Sequence, residues 1–252
     1  MFELFDIGEM LADFESFKNR NISAKSIFSI REIEKNVAYD FVKQYHYLKD
    51  AKFFAQQSFG LFYKDGTLVG VATFSQPQGN VTLKGWFGLT NDNTNIYELS
   101  RLCLHPALNG TNATSFLLGG SIKILKKQKV VRAIITLADS NRHCGSIYQV
   151  CNFKYYGLTD KKSDFYRFDG KLNPRGSTKN VRGVWIPRTQ KHRYCYLLDN
   201  TLNVNYEECT KPKSDQRLTT DCCNGTHEVY DNRFGEWYTC PKCTGKLEKI
   251  EK

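Results

Sequence analysis

The sequence predicts a mixed α/β fold, in which one sheet is flanked by helices and followed by a small cysteine-rich appendage. Helical and strand-like hydrophobic patterns alternate along residues 30–170, as in proteins built on a mixed sheet. A near-continuous apolar run, VVRAIITLA at 130–138, is typical of a central strand buried on both faces. Four of the nine cysteines lie within residues 222–243, which predicts the appendage.

The first predicted helix follows an apparent capping box, Ser29 with Glu32 three residues later. This helix is expected to place His46 and Tyr47 at its C-terminal end. Its apolar stripe at helical spacing consists of Ile33, Val37, Phe41 and Tyr45.

Strands are predicted next. Segment 58–75 indicates a hairpin that turns at Asp65-Gly66. Segment 96–105 indicates a strand with Arg101 near its middle, and Pro106 ends it.

The second half of the domain continues the alternation. A helix is expected over about 115–127, with Thr114 or Ser115 as its cap. After the central strand, a short helix around 145–150 and a final strand near 165–168 complete the sheet.

Composition narrows the class of protein. An apolar content of 40% in 252 residues is enough for a packed core, and no apolar run approaches the ~20 residues of a membrane helix. MFELFDIGEM has no basic n-region, so we expect no secretory signal, a cytoplasmic location in the host cell and reduced thiols. The net charge of +10 favours nucleic acid as partner, with an acidic membrane surface or mere solubility as alternatives.

A domain boundary is predicted near residue 170, between a catalytic domain (1–170) and a basic extension with a cysteine-rich module (171–252). Residues 171–198 hold seven Lys or Arg and no acid, with Trp185, Tyr194 and Tyr196 between them. This pattern favours phosphate contact and base stacking, and a solvated linker is the alternative. The predicted DNA-binding residues are Arg175, Lys179, Arg182, Arg188, Lys191, His192 and Arg193.

Three residues around the central strand are candidate catalytic or ligand-binding residues. Asp139 ends the strand, where ligands collect in open α/β sheets, and its carboxylate could serve as a general base or orient an amine. Arg101 could clamp a phosphate or carboxylate, and Tyr148 could present a phenol to the same cleft. The structural alternatives are a helix cap for Asp139 and an ordinary ion pair for Arg101.

The cysteine cluster predicts a structural zinc site. Cys240-Pro-Lys-Cys243 has the spacing of a metal-binding knuckle. The expected ligands are Cys240 and Cys243 with two of Cys222, Cys223 and His227, and the predicted set is Cys222, Cys223, Cys240 and Cys243. Unpaired thiols or a redox pair are the alternatives.

Four segments carry a resemblance to a known family: Tyr45-His46-Tyr47, GVATFSQP, YELSRLCLHP and, above all, LADSNRHCGSIYQVCNFKYYG. They resemble the GNAT acyltransferase fold and, within it, the phage Mom family of DNA-modifying enzymes. The resemblance implies transfer of a carbamoylmethyl-type group to the exocyclic amine of adenine, which shields phage DNA from restriction. It also implies an active-site set of His46, Tyr47, Arg101, Asp139 and Tyr148, and iron with His46 as a ligand.

One stretch departs from the resemblance. GNAT enzymes hold the coenzyme A pyrophosphate on a glycine-rich turn, whereas HPALNGTNATSFLLGG has no such motif and places Asn112 and Ser115 at the turn. These two residues are therefore the candidate donor-binding residues, acetyl-CoA is doubtful as donor, and a small-molecule or carrier-bound donor is expected.

Modification of a base adds a requirement for access to it. A paired adenine must be flipped out of the duplex, or the enzyme must act on single-stranded DNA. Trp86 and Phe87, in a loop-like stretch, are candidates for the wedge, and packing in the core is the alternative. Two other functions stay open: a GNAT acyltransferase acting on a protein or an aminoacyl-tRNA-linked substrate, and a DNA-binding module without catalysis.

Overall fold

A computed structural model describes most of the chain and divides it into two compact units. The first unit comprises Met1–Thr136, Ser146–Tyr156 and Tyr194–Lys211, and the second comprises Leu137–Gly145, Gly157–Arg193 and Pro212–Lys252. The described residues are 7–19, 22–47, 52–64, 66–77, 80–90, 95–169, 171–173, 178, 181–213, 223, 226–231 and 235–251.

The strands form three sheets. A seven-stranded mixed sheet has the order β1-β2-β3-β4-β5-β9-β6, and two small sheets consist of β7-β8 and β10-β11-β12. The strands are β1 (Phe28–Glu32), β2 (Gln57–Tyr63), β3 (Leu68–Ser75), β4 (Ile96–Leu104), β5 (Ala133–Asp139), β6 (Lys154–Leu158), β7 (Lys162–Arg167), β8 (Gly183–Arg188), β9 (Lys191–Leu197), β10 (Glu228–Asp231), β11 (Glu236–Thr239) and β12 (Lys249–Ile250).

Helices alternate with these strands, so the predicted mixed α/β class is confirmed. The helices are α1 (Ile7–Lys18), α2 (Ala24–Ile27), α3 (Lys35–Tyr45), α4 (Asn80–Phe87), α5 (Ala113–Gln128), α6 (Ser146–Val150) and α7 (Pro241–Thr244). No described helix has the length and apolar character needed to cross a bilayer.

The hairpin of β2 and β3 is the most buried part of the first unit, and it confirms the prediction for 58–75. The strands pair antiparallel, and nearly every residue in them is buried. Gly66 has a φ of 93° at the turn, a conformation that glycine adopts without the cost that a Cβ imposes. Phe59, Leu61 and Phe74 are fully buried and centre the core.

β4 and β5 are neighbouring strands of the seven-stranded sheet. They pair in parallel from Ile96 opposite Ala133 onward, and β5 lies between β4 and β9 as the central strand that the apolar run predicted. The register of β3 against β4 shifts between Thr73 and Phe74, so Thr73 pairs with Arg101 while Phe74 pairs with Leu99. This bulge interrupts the alternation of faces along β4.

Two predictions about helix starts are wrong. Ser29 and Glu32 lie in β1, opposite Phe62 and Phe59, so sheet pairing and not a capping box satisfies their backbone groups. α3 begins only at Lys35.

α5 also begins earlier than predicted. Its first residue is Ala113 and its N-cap is Asn112, so neither Thr114 nor Ser115 caps it. The Thr111 hydroxyl accepts a hydrogen bond from the Ala113 N–H at 3.3 Å and replaces the expected cap.

The predicted wedge and the predicted final strand also need correction. Trp86 and Phe87 end α4 and are 3% and 7% exposed, because they pack in a cluster with Ile96 and Tyr156. The strand predicted near 165–168 exists as β7, but it pairs with β8 outside the large sheet.

The second unit has a small core of its own between short strands. Val184 and Ile186 of β8 pack with Tyr238, Leu247 and two cysteines. The predicted boundary near residue 170 stays a prediction, and the structure adds that β9, which follows it in the chain, belongs to the seven-stranded sheet.

Candidate active site and metal centre

His46 and Tyr47 lie at the C-terminal end of α3, as predicted. Ala38, Phe41 and Val42 bury one face of this helix, and the His46 N–H donates to the Val42 carbonyl at 2.9 Å as the helix ends. The two rings stack with centroids 4.4 Å apart. Tyr47 is 53% exposed, so about half of its surface is accessible to a ligand.

Tyr148, on α6, is brought to the same place. Its ring is buried against Phe153 and Tyr194. Burial raises the pKa of Tyr148, a hydrogen bond with Thr136 opposes that rise, and the nearby phenol of Tyr47 adds to it. The hydroxyl is therefore protonated at neutral pH, so it acts as a hydrogen-bond donor and not as a base.

Thr136 is a site residue that the sequence analysis missed. It lies on β5, is fully buried, and donates from its hydroxyl to the Leu99 carbonyl on β4 at 3.4 Å while it also interacts with Tyr148. The available signal was a hydroxyl inside the apolar run of the central strand, since a buried polar group needs a partner.

Arg101 is held by backbone groups and not by an acid. Its Nη1 donates to the Ser100 carbonyl at 2.6 Å and its Nη2 to the Lys52 carbonyl at 3.1 Å. Nε is buried and has no hydrogen-bond partner among the described residues. The side chain thus keeps a fixed, partly buried positive charge with an unpaired Nε–H, and the ion pair considered as an alternative is not observed within the described chain.

Asp139 belongs to the second unit, at the end of β5. Its Oδ1 accepts a hydrogen bond from the Asn141 N–H at 3.1 Å, and its carbonyl accepts from the N–H groups of Arg142 and His143. The carboxylate is half-buried, so it organises the following turn and still reaches solvent.

Asn112 and Ser115 lie at the turn that opens α5, as predicted. The Ser115 hydroxyl donates back to the Asn112 carbonyl at 2.8 Å, and the Cys151 thiol donates to the Ser115 carbonyl at 3.8 Å. The side-chain bonds are local, and the turn has no glycine-rich phosphate cradle. The residues present do not fit the pyrophosphate site expected of a coenzyme A enzyme.

The iron implied by the family resemblance also lacks a fitting ligand set. In the part of the chain that the structure describes, Cys223, Cys240 and Cys243 form the one group of three or more potential metal ligands, and His46 is not in it. His46 instead stacks on Tyr47, which fits an aromatic role.

Cys223, Cys240 and Cys243 converge in the second unit, with their sulfur atoms within 4.8 Å of one another. His227 is exposed and does not join the group, and Cys222 lies outside the described residues. Three of the four predicted cysteine ligands are therefore brought together.

Only some of the cations in the basic segment, residues 171–198, are exposed. Arg182, Arg188 and Lys191 are exposed, and Arg188 lies 3.7 Å from the carboxylate of Asp164. Arg175 and Lys179 lie outside the described residues.

The prediction for His192 and Arg193 is corrected. His192 is 2% exposed, and burial with the charge of His143 lowers its pKa, so it is neutral and inside. The Arg193 side chain is 12% exposed, donates to the Leu158 carbonyl and pairs with Asp160. His192 and Arg193 are consecutive on β9 and point to opposite faces; His192 is buried and Arg193 is mostly covered, which charge counting could not detect.

Several solved structures of acetyltransferases align with the chain. Spermidine/spermine N-acetyltransferase of Vibrio cholerae aligns with a TM-score of 0.44 and 12% identity, over 70% of this chain and 95% of that one. The ribosomal-protein-S18-alanine N-acetyltransferase of Escherichia coli gives 0.42 and 12%, over 69% and 95%. A putative acetyltransferase of Acinetobacter baylyi gives 0.43 and 14%, over 68% and 93%.

No curated protein matches the chain in sequence. The model of the Mom protein family matches residues 27–214, a stretch that contains α3, β4, β5 and α6 with the His46, Arg101 and Tyr148 positions described above. The match spans most of the chain, so this protein belongs to the Mom protein family.

Proposed function

We propose that this protein transfers a carbamoylmethyl-type group to the exocyclic amine of adenine in DNA, and so protects phage DNA from restriction. The observation that carries the proposal is the match to the Mom family over residues 27–214. The convergence of His46, Tyr47 and Tyr148 in the first unit supports it, because a half-exposed aromatic ring beside a buried neutral donor suits a base substrate.

In this mechanism the exposed ring of Tyr47, backed by His46, stacks on an adenine that has left the duplex. Every base has a π-face, and stacking on an aromatic side chain contributes about 1–3 kcal/mol per base. The exposed Arg182, Arg188 and Lys191 are proposed to contact phosphates, which adds salt-dependent affinity.

The transfer forms a bond between the adenine nitrogen and the methylene carbon of the donor while the bond from that carbon to its leaving group breaks. Tyr148 is proposed to turn its O–H from Thr136 to the leaving group, on which negative charge develops as its bond to the carbon breaks, since its raised pKa keeps the proton on the phenol. Arg101 is proposed to neutralise charge on the donor through its unused Nε–H.

The amine must lose a proton as the new bond forms, and Asp139 is proposed to take it. The carboxylate is half-exposed and ends the central strand. Asp139→Asn keeps an oxygen that can accept from Asn141 and removes only the charge. We therefore expect loss of transfer with little change in folding.

The proposal is tested by nucleoside mass spectrometry of DNA from cells that express the protein. Wild type is expected to give a modified adenine, and Tyr148→Phe to lower its rate of formation about 10²–10³-fold, the usual cost of a lost transition-state donor. Tyr196→Phe is the matched control, because its half-buried ring also packs on Phe153 but it lies outside the proposed site.

Unmodified adenine beside soluble wild-type protein would contradict the proposal. Tight DNA binding that Asp139→Asn and Tyr148→Phe leave unchanged, with no product, would indicate a binding module. Acylated protein or use of an aminoacyl-tRNA as donor would indicate a general acyltransferase.

A further inference from the structure

Three thiols meet in the second unit at distances that suit a shared ion. The sulfur atoms of Cys223 and Cys243 are 3.5 Å apart, and neither these cysteines nor Cys240 is in a disulfide. A disulfide would require about 2.05 Å. Two sulfurs that each lie about 2.3 Å from one tetrahedral zinc are separated by about 3.8 Å, close to the observed spacing.

The backbone around these thiols is already folded as a tight knuckle. The Cys240 carbonyl accepts from the N–H groups of Cys243 at 3.1 Å and Thr244 at 2.9 Å. Gly245 closes the turn with a φ of 72°, and the Cys240 N–H donates to the His227 carbonyl at 2.7 Å. Backbone hydrogen bonds therefore order the loop that carries Cys240 and Cys243.

The small core of the second unit is built around the same cysteines. Cys223 and Cys240 pack with Val184 and Ile186 of β8 and with Tyr238 of β11. Cysteines thus occupy central positions in a cluster that has few large apolar side chains. A core of this size gives little stability unless a staple such as a metal supplements it.

One further contact joins the knuckle to β8. Lys242, between two of the cysteines, donates from Nζ to the Pro187 carbonyl. Pro187 lies beside Arg188, and Arg182 precedes the same strand, so the knuckle supports the segment that carries these exposed cations.

We propose that Cys223, Cys240 and Cys243 bind one zinc ion, and that this ion fixes β8 so that Arg182 and Arg188 are held in place to bind a polyanion. On binding, three S–H protons pass to solvent as three S–Zn bonds form, and nothing is oxidised or reduced. His227 is not a ligand. The second half of the inference, that the polyanion is DNA, rests on the proposed function.

The metal itself is tested by elemental analysis of the purified full-length protein. Wild type, His227→Ala and Cys209→Ser are expected to hold about one zinc per chain, and Cys240→Ser about tenfold less. Cys209 is the matched control, because its thiol is exposed and outside the cluster. A zinc-free wild type, or wild-type zinc in Cys240→Ser, overturns the inference.

Cys240 is buried, so its variant could fail to fold, and the exposed Cys243 provides a second measurement. Protein exchanged with cobalt(II) is expected to show a thiolate-to-cobalt charge-transfer band, which Cys243→Ser weakens and Cys209→Ser does not. Absence of the band in wild type, or an unchanged band in Cys243→Ser, overturns the inference.

The link to the cations is tested by DNA binding at several salt concentrations. Zinc-depleted protein is expected to bind DNA about tenfold more weakly and with a smaller salt slope, and Arg188→Gln to weaken binding while it keeps its zinc. Equal affinity for DNA with and without zinc overturns the proposal that the ion holds Arg182 and Arg188 in place. If a zinc-free protein makes modified adenine, this inference is wrong and the proposed function stands. If the protein binds zinc but makes no modified adenine, the zinc site stands and the proposed function is wrong.

Discussion

The two units of the molecule are stabilised in different ways. The first has a continuous apolar core, with Phe59, Leu61 and Phe74 fully buried in a hairpin of a seven-stranded sheet. The second has short strands and a small cluster in which cysteines take central positions. The first unit can therefore hold neutral hydroxyls and aromatic rings in place by packing alone, whereas the second is proposed to be stabilised by zinc bound to its thiols.

Removal of zinc by a chelator is expected to produce a larger difference in stability between the two units than any substitution. Structural zinc in small peptides contributes about 10–16 kcal/mol of apparent binding free energy, far more than a small core supplies. Zinc removal should therefore expose the amides of β10 and β11 to hydrogen exchange while those of β2 and β3 stay protected. Measurement is by exchange mass spectrometry with and without a chelator. Equal protection of β10 and β11 in both samples would contradict the contrast.

Phe74→Ala is the reverse experiment, directed at the first unit. Phe74 is fully buried, and its ring packs edge-on against Phe59 with centroids 5.8 Å apart. Large-to-small changes of this type cost about 3–5 kcal/mol. Urea unfolding should show that loss for the first unit, while the zinc content stays at the wild-type level. Loss of zinc in this variant would mean that the two units are not stabilised separately.

The sequence predicted the sheet best where the pattern of apolar residues was long. The hairpin, β4, β5 and α5 follow from periodicity, because burial on one or both faces dictates which residues are apolar. The capping box failed because Ser29 and Glu32 have polar side chains that are compatible with an edge strand as well. The choice between the two depends on pairing with β2, which is distant in the chain.

The site was predicted only in part, because some of its residues are recognised only by contacts between segments that are distant in the chain. Position along the chain gave Tyr148 as a candidate and placed His46 and Tyr47 at a helix end, the family resemblance joined the three, and the structure brings them together. Thr136 was missed because a single hydroxyl in a buried strand is ordinary until its partner is known. The inward orientation of His192 was missed because charge counts ignore the two faces of a strand.

Tyr47→Ala tests whether the open ring in the first unit contributes to substrate binding and not to stability. The side chain is 53% exposed, so its loss should change the free energy of unfolding little. Loss of stacking should weaken binding of single-stranded DNA by about 1–3 kcal/mol, and Tyr47→Phe should retain it. Fluorescence titration checks both variants, with Tyr39→Ala, also an exposed tyrosine of the first unit, as the control. Equal losses at Tyr39 and Tyr47 would refute a specific platform.

The smallest expected effect is the pH dependence of a single surface carboxylate in the first unit. Hydrogen bonds from Thr201, together with the bond from Arg132 Nε at 2.9 Å, lower the pKa of Asp199 from 3.8 to about 2. A pKa that is lower in the folded state contributes stability above the unfolded value, and that contribution is lost as the pH falls from about 4 to about 2.

Asp199→Asn should accordingly unfold at a slightly lower urea concentration than wild type near neutral pH, and the difference should shrink as the pH approaches 2. Glu208→Gln is the matched control, since its pair with Lys154 is in the same unit and both side chains are about half exposed. Solvent screens that pair, so its removal should change little at any pH. A difference for Asp199→Asn that is constant down to the lowest pH would show that packing, and not charge, holds Arg132 and Asp199 together.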